Sequence, residues 1–434
     1  MIDFRVLKEL EEFCDVTKDL KYSKDETPPL LAPKPADFIV VKPKNTEEVS
    51  KILKIANKYR IPIFIRGGGT GLSGGAIPTS EGIVLSTEYL KDIRIDEKNR
   101  FAECGAGVTL YELENAAETY GLSFPPHPGA ETATVGGMIA TNAGGMRALK
   151  YGTIRNYVLS CEVVLADGSI LEIGSRTLKN STGYSLLHLF IGSEGTLGVI
   201  TRAVLKLLPS MKDSVALVAP FNSLEEAAEQ TLNLTKLLPL SLELIEARAV
   251  KIGEKITGKK WPGNGEAYIF AIFERFEDVE KASEVLKKDV YVAVKKELRN
   301  LMSIRGSIYE GLKDKIIEIL DVCVPPAEVA NYIRASSKIF EKYGVDVVTY
   351  GHAGDGNIHQ HPLLYDGWES SYFKFREELF NVVLKLGGVI SGEHGIGALK
   401  REEFKKFYPK QYEVMKKIKQ VFDPSGILNP GKIF

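Results

Sequence analysis

Residues Ile61–Ala76 read IPIFIRGGGTGLSGGA. A short β-rich run, IPIFI, leads straight into Gly67, Gly68, Gly69, Gly71, Gly74 and Gly75, and no helical pattern follows. Glycine is required where the backbone takes positive φ or comes close to a ligand. Successive exposed N–H groups in such a loop can form a nest for a phosphate. The segment has no GK[ST] of a Walker loop and no βαβ context for a Rossmann fingerprint. The structural alternative is a tight-turn loop.

Upstream, Asn45 and Glu48 form a plausible capping box. Val49, Ile52, Leu53, Ala56 and Tyr59 then recur at helical spacing. Residues 1–35 read as an N-terminal helix with the stripe Leu7, Leu10, Phe13 and Cys14, followed by a crossing segment rich in Pro28, Pro29, Pro33 and Pro35. Downstream, from about Gly82 to Leu208, the pattern is short strands, turns and glycine loops. VVLADGSILEI carries a hairpin signal at Asp167-Gly168.

Two further segments share the glycine-rich texture: Pro125–Asn156 (PPHPGAETATVGGMIATNAGGMRALKYGTIRN) and Ile191–Thr201 (IGSEGTLGVIT). The first is too long for an ordinary connection, and long ordered loops are usually functional. Three such segments in one region point to one large cofactor laid across several loops, against the alternative of three unrelated turns. Near Pro209 the texture changes. Residues 212–300 alternate strands (SVALVAPF, AYIFAIFERF) with helices (SLEEAAEQTLNLTKLL and a Lys/Glu-rich run), as in a separate α+β domain. Helices are expected at 328–343 and 370–387, with a strand and loop at VVTYGHAGDGNIH between them.

The chain has 434 residues, which suits two or three domains. Composition is that of an ordinary globular protein, with 44% hydrophobic and 26% charged residues. Net charge is -1 with no basic stripe, which argues against a nucleic-acid partner. No apolar run reaches the ~20 residues a membrane helix needs. MIDFRVLKELEEF is too charged for a signal peptide, so a cytoplasmic location is expected. Cys14, Cys104, Cys161 and Cys323 are far apart and form no CxxC pair, so neither a disulfide framework nor an iron–sulfur cluster is expected.

The three glycine segments resemble the FAD-binding domain of the vanillyl-alcohol oxidase and p-cresol methylhydroxylase superfamily. The resemblance implies an α+β protein. It would have a two-subdomain FAD-binding domain of the p-cresol methylhydroxylase type (36–211) and an α+β substrate or cap domain with a metal site (212–425). The 1–35 segment would precede these, and 426–434 would return to the flavin domain. Carried over by position, Gly67, Gly68, Gly69, Thr70, Gly71 and Gly74 would hold phosphates. Thr132, Thr134, Gly136, Gly137, Asn142, Gly144 and Gly145 would follow the dinucleotide. Glu194, Gly195, Gly198 and Ile200 would contact the adenosine side or the ring approach. Asn429, in VFDPSGILNPGKIF, would sit near the ring. Covalent members place a His just after the first glycines. Here that place holds Thr70, and His127 matches no attachment position, so the FAD is expected to be non-covalent.

Four of the six histidines fall between 352 and 394, in YGHAGDGNIHQH (Tyr350–His361) and SGEHGIG (Ser391–Gly397). Histidine and carboxylate with small neighbours suit a divalent metal such as zinc, manganese or iron. If IHQH is extended, His359 and His361 share a face, and His352 could close on them through the glycine turn. The alternative is a set of hydrogen-bonded structural histidines. These motifs resemble those of the metal-containing D-2-hydroxyacid dehydrogenases, a branch that includes D-lactate and D-2-hydroxyglutarate dehydrogenases and the glycolate oxidase flavin subunit. The resemblance covers roughly 36 to 434. It implies His352, His359 and Glu393 as ligands of a divalent metal, zinc favoured, and His394 as general base.

In that branch an Arg ahead of a DxxVP-type segment binds the substrate carboxylate. The matching residue is Arg305, before DVCVPP (Asp321–Pro326), and a guanidinium fork suits a carboxylate. A surface Arg on a helix is the alternative. Tyr309 lies one helical turn on and is expected to face the same pocket. His361 stands where the 2-hydroxyglutarate enzymes often carry Asn, and the extra Lys some of them use has no clear equivalent near Ile319. Both departures favour a short monocarboxylate, D-lactate or glycolate, over a dicarboxylate.

The implied reaction oxidises the 2-hydroxy acid to the 2-oxo acid with hydride transfer to FAD. Electrons would leave through a partner: an electron-transferring flavoprotein, an iron–sulfur subunit, a quinone or a soluble acceptor. A homodimer is compatible with the sequence. The competing readings are a D-2-hydroxyglutarate-type dehydrogenase, another enzyme of the superfamily acting on a phenol, sugar or alkyl ether, a non-catalytic flavoprotein subunit of an electron-transfer complex, and a metallohydrolase with structural glycine loops.

Overall fold

The helix Thr46–Tyr59 forms where spacing predicts it, and Val49, Ile52, Leu53 and Ala56 are buried. The Asn45 side chain accepts from the Glu48 N–H at 2.9 Å, while the Glu48 carboxylate turns to the Lys44 N–H at 2.7 Å, so the box is only half closed. The chain then enters the strand Ile63–Arg66. In this computed structural model, which describes residues 4–210 and 214–434, that strand lies parallel to Gly82–Ser86. Gly82–Ser86 is in turn parallel to Phe38–Lys42, and Asp15–Thr17 closes the edge antiparallel. The N-terminal helix is Phe4–Glu11 and buries Val6 and Leu10. It is shorter than the stripe implied: Phe13 and Cys14 follow it in a turn and pack on the same core.

The second subdomain is a five-stranded antiparallel sheet in the order Ile93–Asp96, Phe101–Gly105, Val199–Lys206, Val158–Val164, Ile170–Gly174. The last two strands are the expected hairpin, with Gly168 at φ +81. Helices also interrupt this region, where only strands, turns and loops are expected, and two of them are the longest. Leu110–Glu118 is opened by a full capping box between Thr109 and Glu112, and Val135–Thr141 begins at Thr134.

Beyond residue 214 the chain builds a seven-stranded antiparallel sheet. Its order is Tyr291–Val294, Val215–Phe221, Ala267–Phe273, Ser241–Glu246, Val347–His352, Asn357–Pro362, Leu320–Cys323. Helices cover both faces. Val215, Leu217, Ala219 and Phe221 join one core, and Ala216 and Val218 the other. A strand buried on both sides loses the apolar–polar alternation, which is why AYIFAIF reads as a continuous apolar run. The expected helices are found at Leu224–Thr235, Val329–Tyr343 and Tyr372–Lys385. The strand Ser241–Glu246 and the helix Ala247–Thr257 are further elements of this domain.

This two-subdomain plus α+β cap architecture matches the expected fold class. The boundary expected at 211/212 lies outside the described residues. The chain end returns to the first domain, with the Asn429 N–H donating to the Ile63 carbonyl at 2.8 Å. The return begins before 426, because Ile418 and Phe422 of the helix Pro409–Phe422 already pack on the first core.

Candidate active site

The three glycine-rich segments and the chain end converge on one cleft, with about 1280 Å³ of space between its walls and the solvent it opens to. Gly67, Gly68, Gly69, Thr70 and Gly71 line it from the first loop. Thr134, Gly136, Gly137 and Gly144 line it from the second, Glu194, Gly195, Gly198 and Ile200 from the third, and Asn429 from the chain end. Ser73, Thr87 and Met138 line it too. These were not foreseen, because a single hydroxyl or thioether inside a loop carries no motif.

Packing explains the glycines. A Cβ on Gly67 would stand 2.2 Å from Thr134 Oγ1, and one on Gly68 would stand 2.3 Å from the Thr132 carbonyl oxygen. The first two loops therefore meet backbone to backbone, and the cleft floor is made of peptide groups. Among the described residues no Lys or Arg lines the cleft. A bound dinucleotide would have its phosphates met by backbone N–H groups, as such loops allow, and its rings by Ile65, Ala133, Met138 and Ile200. The cradle fits that cofactor.

Four of the expected cofactor residues are placed off the cleft lining. The Gly74 N–H donates to Thr27 Oγ1 at 2.7 Å and ties the loop to the N-terminal crossing segment. Thr132 stands behind Gly68. Asn142 ends the helix Val135–Thr141 in the left-handed conformation (φ 50), and its Oδ1 accepts from Thr153 Oγ1 at 2.9 Å. Gly145, at φ +119, packs against the His127 carbonyl.

At one end of the cleft stand Glu393 and His394, and behind them is the histidine cluster. The strands Val347–His352 and Asn357–Pro362 form a hairpin that pairs His352 with Asn357 and Tyr350 with His359. The loop Ser391–Gly397 folds over it. Glu393 Oε1 lies 3.5 Å from His352 Nε2, 3.2 Å from His359 Nε2 and 3.6 Å from His394 Nε2. One carboxylate oxygen thus faces three imidazole nitrogens. The ligand atoms of His352, His359 and Glu393 all lie within 4.8 Å of one another, and so do those of Asp321, His359 and His394. An N, N, O donor set of this size fits a divalent cation.

Two more carboxylates complete the arrangement: Glu243, which carries no motif, and Asp321, which opens the DxxVP-type segment. Glu243, fully buried in the strand Ser241–Glu246, accepts from His352 Nδ1 at 2.6 Å. That places a proton on Nδ1 and turns Nε2 toward the cluster, the pattern in which a carboxylate orients a metal-binding His. The only sequence signal was an acidic residue inside the apolar run LSLELI. Asp321, also fully buried, sits opposite His359 in the sheet register. Its Oδ2 accepts from the N–H groups of Gly392, Glu393 and His394 at 3.1, 3.1 and 2.9 Å. Its Oδ1 accepts from Asn357 Nδ2 at 2.8 Å and lies 3.6 Å from His359 Nε2.

The charges follow from this geometry. Burial alone would lower the His352 pKa, but Glu243 and Glu393 outweigh it and hold the group well above its ordinary value. Burial opposes ionisation of Glu393, and His352 and His359 overcome it, so the carboxyl lies well below its usual range. Burial pushes the His394 imidazole down to about 4 against the pull of Asp321, which keeps it a neutral base.

Arg305 lies one step behind the cluster. Its Nη2 and Nε bond Glu243 Oε2 at 2.7 and 2.8 Å, and its guanidinium lies 4.5 Å over the Tyr350 ring. The chain Arg305–Glu243–His352–Glu393 is therefore continuous. Among the described residues Arg305 Nη1 makes no hydrogen bond. The Tyr309 hydroxyl donates to the Glu26 carbonyl at 2.5 Å, which ties the cap to the N-terminal crossing segment, and the residue packs against the buried cluster that includes Tyr350. His361 shares a face with His359, as the extended strand requires, but is fully buried and stacked on Tyr350 at 4.6 Å. Its Nδ1 meets the Val348 carbonyl at 3.1 Å, and among the described residues its Nε2 has no partner.

Comparison with known proteins agrees with this architecture. Residues 38–174 match the FAD binding domain, and residues 210–433 match the C-terminal domain of FAD linked oxidases. A D-lactate dehydrogenase of Archaeoglobus fulgidus is 59% identical over 420 residues, covering 95% of each chain. The glycolate oxidase subunit GlcD of Bacillus subtilis is 38% identical over 96% of this chain and 92% of its own. The crystal structure of p-cresol methylhydroxylase with substrate bound superposes with a TM-score of 0.75 at 16% identity, covering 99% of this chain and 96% of that one. With a cleft floored by glycine loops in one domain and a histidine–carboxylate cluster in the other, this chain belongs to the FAD-linked oxidases.

Proposed function

We propose that the protein is an FAD- and divalent-metal-dependent dehydrogenase that oxidises a short D-2-hydroxy acid, D-lactate in the first place, to the 2-oxo acid. The observation that carries the reading is the convergence of His352, His359, Glu393 and His394 on one point at the end of the cleft. The similarity to a D-lactate dehydrogenase over nearly the whole chain supports it.

Bound FAD, held without a covalent link, supplies the hydride acceptor. His352, His359 and Glu393 would hold a divalent cation, zinc favoured, which would supply Lewis acidity toward the substrate hydroxyl. The chain's own groups do the rest. Asp321 Oδ2 lies 3.7 Å from His394 Nδ1 and Glu393 Oε1 3.6 Å from its Nε2, and the neutral His394 imidazole between them is the base that takes the hydroxyl proton. Two buried cations flank the cluster. Lys400 is committed to Ser391 and Asp321, which leaves Arg305 Nη1 for the substrate carboxylate. Tyr350, packed against both His361 and Arg305, is buried behind the cluster, and that packing suits a short acid.

Among the described residues no helix is long and apolar enough to cross a membrane. With four free thiols and no cluster ligands in the chain, the electrons pass to a separate acceptor, and a cytoplasmic location is the matching proposal. The test is anaerobic flavin spectroscopy of the purified protein. D-lactate bleaches the flavin band, L-lactate does not, and prior chelation of divalent ions prevents the bleaching while dithionite still reduces the flavin. Bleaching by D-lactate in fully chelated protein would refute the cation, and a flavin indifferent to D-lactate and glycolate alike would refute the substrate class.

A further inference from the structure

The loop Ser391–Gly397 carries both Glu393 and His394, yet it is neither helix nor strand. Its backbone N–H groups find their partners on two carboxylates from different domains. Asp321, from the cap sheet, takes those of Gly392, Glu393 and His394 and also the Ser391 hydroxyl at 3.1 Å. Glu194, from the third glycine loop of the flavin domain, takes the next pair: Oε1 accepts from Ile396 N–H and Oε2 from Gly397 N–H, both at 2.7 Å. These are short, charge-assisted bonds. Ser73, from the first glycine loop, adds a third tie, donating from Oγ to the His394 carbonyl at 2.9 Å.

The surroundings of Glu194 are built for this contact. Its backbone is in the left-handed conformation (φ 50), which a non-glycine residue adopts only at a cost in strain. Asn429 Nδ2 donates to its carbonyl at 2.7 Å, while Asn429 Oδ1 accepts from the Ile65 N–H at 2.8 Å. A Cβ on Gly395 would stand 2.7 Å from Glu194 Oε1, so the glycine of the EHG triplet is needed for the carboxylate to reach its donors.

We propose that Glu194 is a positioning residue through which the flavin cleft sets the cation and base site: its carboxylate fixes the backbone at Ile396 and Gly397 and thereby holds Glu393 and His394 against His352 and His359. The inference rests on the reading of Glu393 as a cation ligand. Because Glu194 also lines the cleft, flavin and cation each stabilise the loop geometry the other needs, and their affinities rise together.

The test uses the flavin-loaded protein and zinc as the probe. Glu194→Gln keeps the shape but has one acceptor oxygen for two donors and turns an N–H₂ group toward the other. With flavin still bound by absorbance, zinc affinity falls about 10- to 100-fold, as for loss of an orienting partner. Ser50→Ala removes a buried hydrogen bond to the Gly168 carbonyl elsewhere in the flavin domain and serves as the control for general destabilisation. It leaves zinc affinity unchanged. Wild-type affinity in flavin-loaded Glu194→Gln overturns the role of Glu194 alone. Failure of the wild-type protein to bind zinc or any divalent ion overturns the reading beneath it. Should the variant not fold, hydrogen exchange on the wild-type holoprotein decides: amides 396 and 397 exchange as slowly as 392–394, and exchange at the rate of an exposed loop overturns the clamp.

Discussion

Replacing Glu243 by Gln separates two jobs that one buried carboxylate performs. Glu243 compensates the charge of Arg305 through two bonds of 2.7 and 2.8 Å, and it orients His352 through a 2.6 Å bond to Nδ1. Breaking a buried ion pair by removing one partner costs about 3–5 kcal/mol. Glutamine keeps the volume and one acceptor, which places the loss at the low end, about 3 kcal/mol. For domains of this size each kcal/mol lowers the melting temperature by about 2–4 °C, so the cap domain should melt about 6–12 °C earlier. Loss of the orienting carboxylate should also weaken cation affinity about 10- to 100-fold, or about 1.4–2.8 kcal/mol. Differential scanning calorimetry and zinc titration read the two effects. Adding Arg305→Met removes the stranded cation, so the double variant should regain much of the melting temperature but none of the zinc affinity. Wild-type zinc affinity in Glu243→Gln, or recovery of both quantities in the double variant, would refute the argument that Glu243 orients His352.

Three further outcomes follow from the same geometry. His394→Ala should keep its flavin and its zinc while the rate of flavin reduction by D-lactate drops by about 10²- to 10⁴-fold in stopped-flow traces; an undiminished rate would remove His394 from the base role. Gly68→Ala should lose FAD on purification, because its methyl would meet the Thr132 carbonyl at 2.3 Å, whereas Gly306→Ala, with nothing within 4 Å, should retain it. Lys432 is buried, and desolvation lowers its pKa to about 8 against the pull of Asp25 and Glu194. The unfolded chain therefore holds the proton that the folded one releases between about pH 8 and the free-lysine value. Stability contributed by this group rises with pH across that window, by up to about 1.4 kcal/mol per pH unit. Denaturant melts of wild type and Lys432→Met should diverge in slope there, and parallel curves would exclude the effect.

Where the sequence was informative, the signal was local. The helices Thr46–Tyr59, Leu224–Thr235, Val329–Tyr343 and Tyr372–Lys385 each announce themselves within a few turns, and the first also by a cap. The helix Val135–Thr141 escaped because Gly136-Gly137 lowers helix propensity while the tight approach to Ala106 requires it. The strand carrying Glu243 escaped because an acidic residue among leucines reads as surface until something buried is found to pair with it. Tyr309, expected beside Arg305, packs against the buried cluster that holds Tyr350, and its hydroxyl is tied to the Glu26 carbonyl, a partner that spacing along one helix does not reveal.

By itself, the sequence determined the chemistry available to this protein: three glycine loops that leave peptide N–H groups bare, and a small set of imidazoles and carboxylates packed into two short motifs. Those follow from residue type and near-neighbour spacing, and the resemblance to a known flavin family rested on them. Only the tertiary structure decided which groups face each other. Glu243 lies 109 positions from His352, Asp321 is 73 from His394, and Glu194 is 203 from Gly397. A buried carboxylate takes whatever donors the strand pairing and domain packing bring within 3 Å. That choice is made by the competition of all buried polar groups for partners, which no local stretch of the chain encodes.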